Sequence, residues 1–136
     1  MCLLTDNNKT EKSDSEIECF KVLEIRERAG GGMVYCTPFM GVEVGIEIIC
    51  GDQRFIAKDY LNPPKKSVIH PGKYIWDSGL IHTYSSFEEA SLFDKRKFTA
   101  IFRCVIPADT EYVAGIDTNG FNSYASRSII FKEKLF

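Results

Sequence analysis

The chain has 136 residues, a length that suits one domain with a core of its own. Its 17 basic and 19 acidic residues leave a net charge of -2, so no global positive field points to nucleic acid or to an anionic membrane, and no nucleic-acid partner is expected. No apolar run approaches the roughly eighteen residues that span a bilayer, which predicts a soluble protein with no membrane partner.

Met1-Cys2-Leu3-Leu4 has neither a basic leader nor an apolar stretch of about seven residues, so it reads as no secretory signal and a cytoplasmic location is expected. Residues 5–16, T-D-N-N-K-T-E-K-S-D-S-E, hold no large apolar side chain, and a segment that buries no surface cannot offset its ordering entropy. Residues 1–16 are therefore expected to form a flexible tail, ahead of a single α+β domain over 17–136.

From Glu18 to Arg26 the alternation predicts a first strand, with Phe20 and Val22 on one face. Gly30-Gly31-Gly32 breaks it. A phosphate loop would need Lys and Ser or Thr at fixed offsets, and Met33-Val34-Tyr35 follows instead, so the glycines read as a hairpin loop. Met33 to Cys36 returns as a strand. Val42 to Ile48 predicts another, with Val42, Val44, Ile46 and Ile48 on one face and Glu43 and Glu47 on the other; the two glutamates then read as a solvated face and not as an acid/base pair. Gln53 to Ala57 is a short strand after a Gly51-Asp52 turn. Asn62-Pro63-Pro64-Lys65-Lys66 reads as a loop, because prolines cannot sit in a central ladder.

The most informative stretch runs from Ser78 to Phe93. Leu80 to Tyr84 predicts a strand whose His82 and Tyr84 point to the same side. Ser86 and Glu89 have the spacing of a capping box, and Phe87, Ala90 and Phe93 recur at helical spacing, so one short helix is expected over about 87–95. The run Asp94-Lys95-Arg96-Lys97 suits its C-terminal end. Phe98 to Ile106 predicts a central strand, with Phe98, Ala100, Phe102, Cys104 and Ile106 on one face and Ile101 and Val105 on the other; Arg103 should be partly buried and paired. Thr110 to Ala114 and Ser128 to Lys132 complete the strands around an Asp117-Thr118-Asn119-Gly120 turn. The expected fold class is α+β, a mainly antiparallel twisted sheet or partly closed β-roll. Five widely spaced cysteines (Cys2, Cys19, Cys36, Cys50, Cys104), with no C-x-x-C and no paired histidines, give no zinc site and read as buried inert thiols.

The runs G-L-I-H-T-Y-S-S-F-E-E-A, C-V-I-P-A-D-T-E-Y-V-A-G and S-Y-A-S-R-S-I-I-F resemble an uncharacterised bacterial and phage α+β domain. That domain carries G-x-x-H-x-Y, E-x-A, I-P-x-x-T-x-Y and Y-x-S-x-x-I, and it is similar to a unit that follows pentapeptide repeats in larger proteins. A looser similarity is to the ADP-ribosyltransferase-like fold, which implies NAD near Gly79, His82 and Tyr84.

The function expected from these readings is a small non-catalytic module, of phage or mobile-element type, that binds a protein or small ligand without a cofactor or a metal. Its expected binding residues are His82, Tyr84, Ser85 and Ser86, with His82 lining a surface concavity and the helix start converging with the two hydroxyls on an anion. The alternative is an NAD-binding transferase, active or degenerate.

Overall fold

The computed structural model describes residues 3–7, 9–38, 41–57, 64–92, 98–117 and 119–135. Phe93, the basic run at 94–97, Asn62, Pro63, Cys2 and Thr118, on which expectations were placed above, lie outside them. The elements in chain order are β1 (Leu3–Thr5), β2 (Glu11–Lys12), β3 (Ile17–Glu27), β4 (Met33–Cys36), β5 (Glu43–Val44), α1 (Ile46–Cys50), β6 (Arg54–Ile56), β7 (Lys65–His70) and β8 (Lys73–Ser78). They continue with β9 (Ile81–Tyr84), α2 (Phe87–Ser91), β10 (Thr99–Ile106), β11 (Glu111–Ile116), β12 (Asn122–Ser126) and β13 (Ser128–Lys134).

The strands form one open sheet in the order β6-β13-β10-β3-β9-β12-β11-β1-β8-β7, with β2 beside β11 and the β4-β5 pair on β3. Neighbours run antiparallel. Among the described residues the fold is thus β-rich with two five-residue helices, and the α+β expectation narrows to an antiparallel sheet.

At the centre β3 and β10 pair over eight residues, from Thr99 opposite Glu24 to Ile106 opposite Ile17. Side chains alternate between faces at every step. Cys19, Leu23, Ala100, Phe102, Cys104 and Ile106 therefore share one face, with Ile129 and Phe131 of β13 and Ile49 of α1. Phe20, Val22 and Ile101 share the other with Tyr84 and Ala90 of α2. Each helix caps a different face. Phe102 meets Tyr35 and Phe131 edge-on, with ring centroids 5.4 Å apart in both pairs. Arg103 is half-buried and paired as expected, its Nε donating to Glu133 at 2.8 Å.

Lys65 and Lys66, expected in a loop, open β7, and Cys50, expected to be buried, is exposed at the end of α1; three further expectations are corrected. The stretch from Val42 to Ile48 is not one strand: the ladder stops at Val44, and Gly45 is the N-cap of α1, whose acidic Glu47 suits the first turn and whose Ile49 is buried. Helical spacing leaves Ile46 exposed, where a strand would have put it on the face of Val44. Phe98 is 81% exposed, because the ladder to β3 ends at Thr99 and only the Phe98 carbonyl, which accepts from Ile25 N at 2.9 Å, still takes part.

The third correction concerns the N-terminus. β1 fills the gap between β11 and β8, with Leu3 only 1% exposed against Trp76, Val113 and Ala125. Gly115 admits it, since a Cβ there would meet the Leu4 carbonyl oxygen at 2.4 Å. Further along, the buried Ser13 is tied to the turn before β11: its hydroxyl donates to Pro107 O at 2.7 Å and accepts from Thr110 N at 3.0 Å. A polar network and one leucine anchor a segment that composition alone marks as a tail.

Deleting residues 1–7 should therefore lower the melting temperature by several degrees, and scanning calorimetry of the truncated chain would expose the error if the midpoint did not move. Phe102→Ala should cost roughly 3–5 kcal/mol in urea unfolding, the range for a fully buried ring.

Candidate functional site

His82 and Tyr84 do share a face, their rings 5.5 Å apart. Their surroundings are not those of a surface concavity. Both ring nitrogens of His82 are shut off from solvent and have no hydrogen-bond partner among the described residues. Burial, and then the charge of Lys21, push its pKa down to about 3, so the imidazole is neutral at physiological pH. Tyr84 is 3% exposed, packed against Phe121 with centroids 6.2 Å apart. Burial raises its phenol above the ordinary range, and the charge of Asp117, also its hydrogen-bond partner, adds to this. Asp117 is itself buried, and its Oδ1 accepts from the amides of Asn119 and Phe121, both at 2.9 Å, to close the β11-β12 turn.

Ser86 caps α2 as its spacing predicts, accepting from Glu89 N at 3.2 Å. The Glu89 side chain does not return to Ser86; it accepts from Ser85 Oγ at 3.2 Å and from Asn122 Nδ2 at 3.4 Å. With Glu88 beside it, the first turn already carries two acidic side chains. An anion at this helix start would face that negative charge, and the expected anion site is not built.

Of the four expected residues, Ser85 reaches a groove that His82, Tyr84 and Ser86 do not. It lines an open groove of about 670 Å³ at the ends of β1, β11 and β12, together with Asn7, Lys73, Asn122, Ser123 and Tyr124. Tyr124 stands on β12 opposite Thr83, and Ser85 N donates to Asn122 O at 3.1 Å, so this main-chain bond fixes one wall to the other. Lys73 Nζ is ion-paired with Asp6 at the rim. Asn122 and Tyr124 were missed in the sequence because the strand that carries them has only Ala125 as a fully apolar side chain between Asn122 and Arg127. The Asp117-to-Gly120 turn ahead of it was the available signal.

A second polar cluster lies in the core. Lys21 is 7% exposed on the face filled by Leu23 and Phe102, and its ammonium donates to His82 O at 2.8 Å. It has no carboxylate partner among the described residues. Burial brings its pKa down to about 8, with the neighbouring Cys104 and Cys19 acting the other way. Burial likewise pushes Cys19 up to about 12 and Cys104 higher still, so neither thiol is ionised at neutral pH. Among the described residues no group of three or more His, Cys, Asp or Glu could hold a metal ion, and no helix is long and apolar enough to cross a membrane.

No protein-family model matches the chain, and no curated protein or solved structure matches it either, so nothing in those comparisons bears on the resemblance to a bacterial and phage domain or to the ADP-ribosyltransferase-like fold.

The two lowered pKa values have a definite sign in stability. Between the folded value of about 3 and the ordinary 6.5, the unfolded chain binds the His82 proton and the native one does not, so stability is complete above 6.5 and falls with acidification. Going from 6.5 to about pH 4 should remove roughly 3 kcal/mol, and His82→Phe should flatten that loss while leaving neutral-pH stability equal or higher, since it removes two unpaired buried nitrogens. For Lys21 the unfolded chain binds the extra proton above about 8, so its contribution to stability rises from pH 8; from about 9 the raised Cys19 and Cys104 thiols oppose it, and from about 10 Tyr84 does too, so the gain is read as the difference between wild type and Lys21→Met. Urea midpoints across pH for the wild type, His82→Phe and Lys21→Met would contradict the assignment if all three curves were parallel.

Proposed function

We propose that the protein is a non-catalytic binding module whose ligand is a small, uncharged, polyhydroxylated molecule held in the groove beside Ser85. The lining of that groove carries the reading. Its volume of about 670 Å³ falls in the range of pockets that take small ligands. Hydroxyl and amide groups dominate the polar side chains: Asn7, Ser85 and Asn122 are accessible, the buried Thr5 and Ser123 hydroxyls behind them donate to Ala114 O and Phe121 O, and Leu4, Ala114, Ile116 and the Tyr124 ring supply apolar surface. A sugar has the same division, with hydroxyls at its edge and C–H groups on its faces.

The charges on the lining argue in the same direction. Among the described residues that line it, Lys73 and Asp6 are the ionic ones and they neutralise each other, so a charged ligand would have to break that pair. The NAD-dependent transferase draws no support from the geometry, because the sealed His82 nitrogens and the Tyr84 hydroxyl, committed to Asp117, have no reach to a nucleotide. General acid/base work requires such reach.

Thermal denaturation with a panel of neutral mono- and disaccharides, and with NAD, tests the reading. A sugar at about 100 times its dissociation constant should add roughly 2.7 kcal/mol, a shift of several degrees. Asn122→Ala should abolish the shift, and Glu88→Ala should retain it. Stabilisation by NAD and by none of the sugars would transfer the protein to the enzyme class.

A further inference from the structure

Cys19 and Cys104 stand directly opposite each other across the β3-β10 ladder. Both side chains lie on the face filled by Leu23, Phe102 and Phe131, both are 0% exposed, and both are free thiols. Opposed residues in an antiparallel pair have Cα atoms about 4.5–5.5 Å apart, within the roughly 4.4–6.8 Å that a disulfide spans. No such geometry exists for the other described cysteines: Cys36 faces Glu24, and Cys50 is exposed on α1.

The surroundings of the pair are not those of ordinary core thiols. Lys21 follows Cys19 by two residues on the same face, and its charge reaches both sulfurs. The Thr83 hydroxyl, sealed and without an oxygen or nitrogen partner, lies beside the Cys19 sulfur. A buried ammonium whose hydrogen-bond acceptor is a main-chain carbonyl lacks an anion, and a thiolate formed beside it would supply one.

We propose that Cys19 and Cys104 form a redox-active pair that hydrogen peroxide converts to a cross-strand disulfide, with Lys21 as proton acceptor and counter-charge. In its amine form Lys21 takes the proton of one thiol. The thiolate attacks a peroxide oxygen, the O–O bond breaks, and the departing hydroxide recovers the proton from Lys21 as water, leaving a sulfenic acid. The second sulfur attacks the first, the S–O bond breaks, and its proton leaves with the hydroxyl as a second water. Two thiols and one peroxide become one disulfide and two waters, with two electrons passing from sulfur to oxygen. Because neither sulfur is exposed, peroxide reaches the pair through side-chain fluctuations that leave the β3-β10 ladder paired, and the reaction is slow compared with that of a surface thiol.

The experiment is oxidation of the full-length chain, purified reduced, with hydrogen peroxide, followed by non-reducing digestion and mass spectrometry. The expected product has lost the mass of two hydrogens, joins the peptide containing Cys19 to that containing Cys104, reverts with dithiothreitol and melts at a higher temperature than the reduced protein. Cys50→Ser should give the same cross-link. Lys21→Met and Lys21→Arg, each first checked for a native circular dichroism spectrum, should form it about tenfold more slowly or worse, since neither can accept the proton. Mapping the wild-type product requires no variant to fold. A cross-link to Cys36 or Cys50 instead, over-oxidation of either central sulfur without a cross-link, or two central thiols that stay reduced after Cys50 is consumed would each overturn the proposal.

Discussion

The register between β3 and β10 is the constraint on which the rest of the molecule depends. Both strands are apolar on both faces, and the two cores on either side of the sheet are built from alternate residues of the same ladder. A slip of one residue in β3 would turn Glu18 towards the core of Phe102 and Phe131, and Cys19 and Lys21 towards that of Phe20 and Tyr84, and a slip in β10 would do the same to Arg103. The correct register is held from outside as well. β13 pairs with β10 on one side through Phe131 opposite Cys104, β9 joins β3 on the other through Tyr84 opposite Phe20, and Arg103 spans from Glu18 to Glu133 across three strands.

Within that frame the buried polar groups divide by their bonding. Ser13, Asp117 Oδ1 and Glu24 are satisfied, by a turn, by loop amides and by a two-pronged contact from Arg26 at 2.8 and 2.6 Å. The first two fix loops to the sheet, and the third lies within β3. Lys21 and His82 lie on adjoining strands, with the ammonium on the histidine's carbonyl, and each is held away from its charged form by burial. Two groups that resist protonation, placed next to each other at the centre of a sheet, add nothing to stability that an apolar pair would not. Lys21, on the face of the two opposed thiols, is the member of that pair that reaches both sulfurs, while the groove beside Ser85 is assembled separately at the far ends of β1, β11 and β12.

The central strands were legible because their alternation is carried by large side chains: the Phe102 face, the Phe20 face and the paired Arg103 all follow from residue order. The capping box at Ser86 was legible for the same local reason. β1 and β12 were not, since three residues at one and a run of Asn, Ser, Tyr, Ala and Ser at the other have little intrinsic preference and become strands only by filling positions between neighbours. Polar anchoring by Ser13 is equally invisible to a reading that counts apolar area. At Val42 to Ile48 the letters allowed two periods, and Gly45 decided between them by ending the ladder and opening a helix. Of the four residues named from the sequence, Ser85 alone lines the groove, and Asn122 and Tyr124 beside it come from a strand whose pairing with β9 is a tertiary fact.

If the β3-β10 ladder organises both cores, its amides should open only when the whole protein unfolds. Native-state hydrogen exchange followed by NMR measures this directly. The account predicts that amides between Cys19 and Leu23 and between Ala100 and Ile106 exchange slowest, with an opening free energy equal to that of global unfolding, and that those of the outer β7-β8 hairpin exchange through smaller local openings. Faster exchange in β3 and β10 than in the hairpin would contradict it.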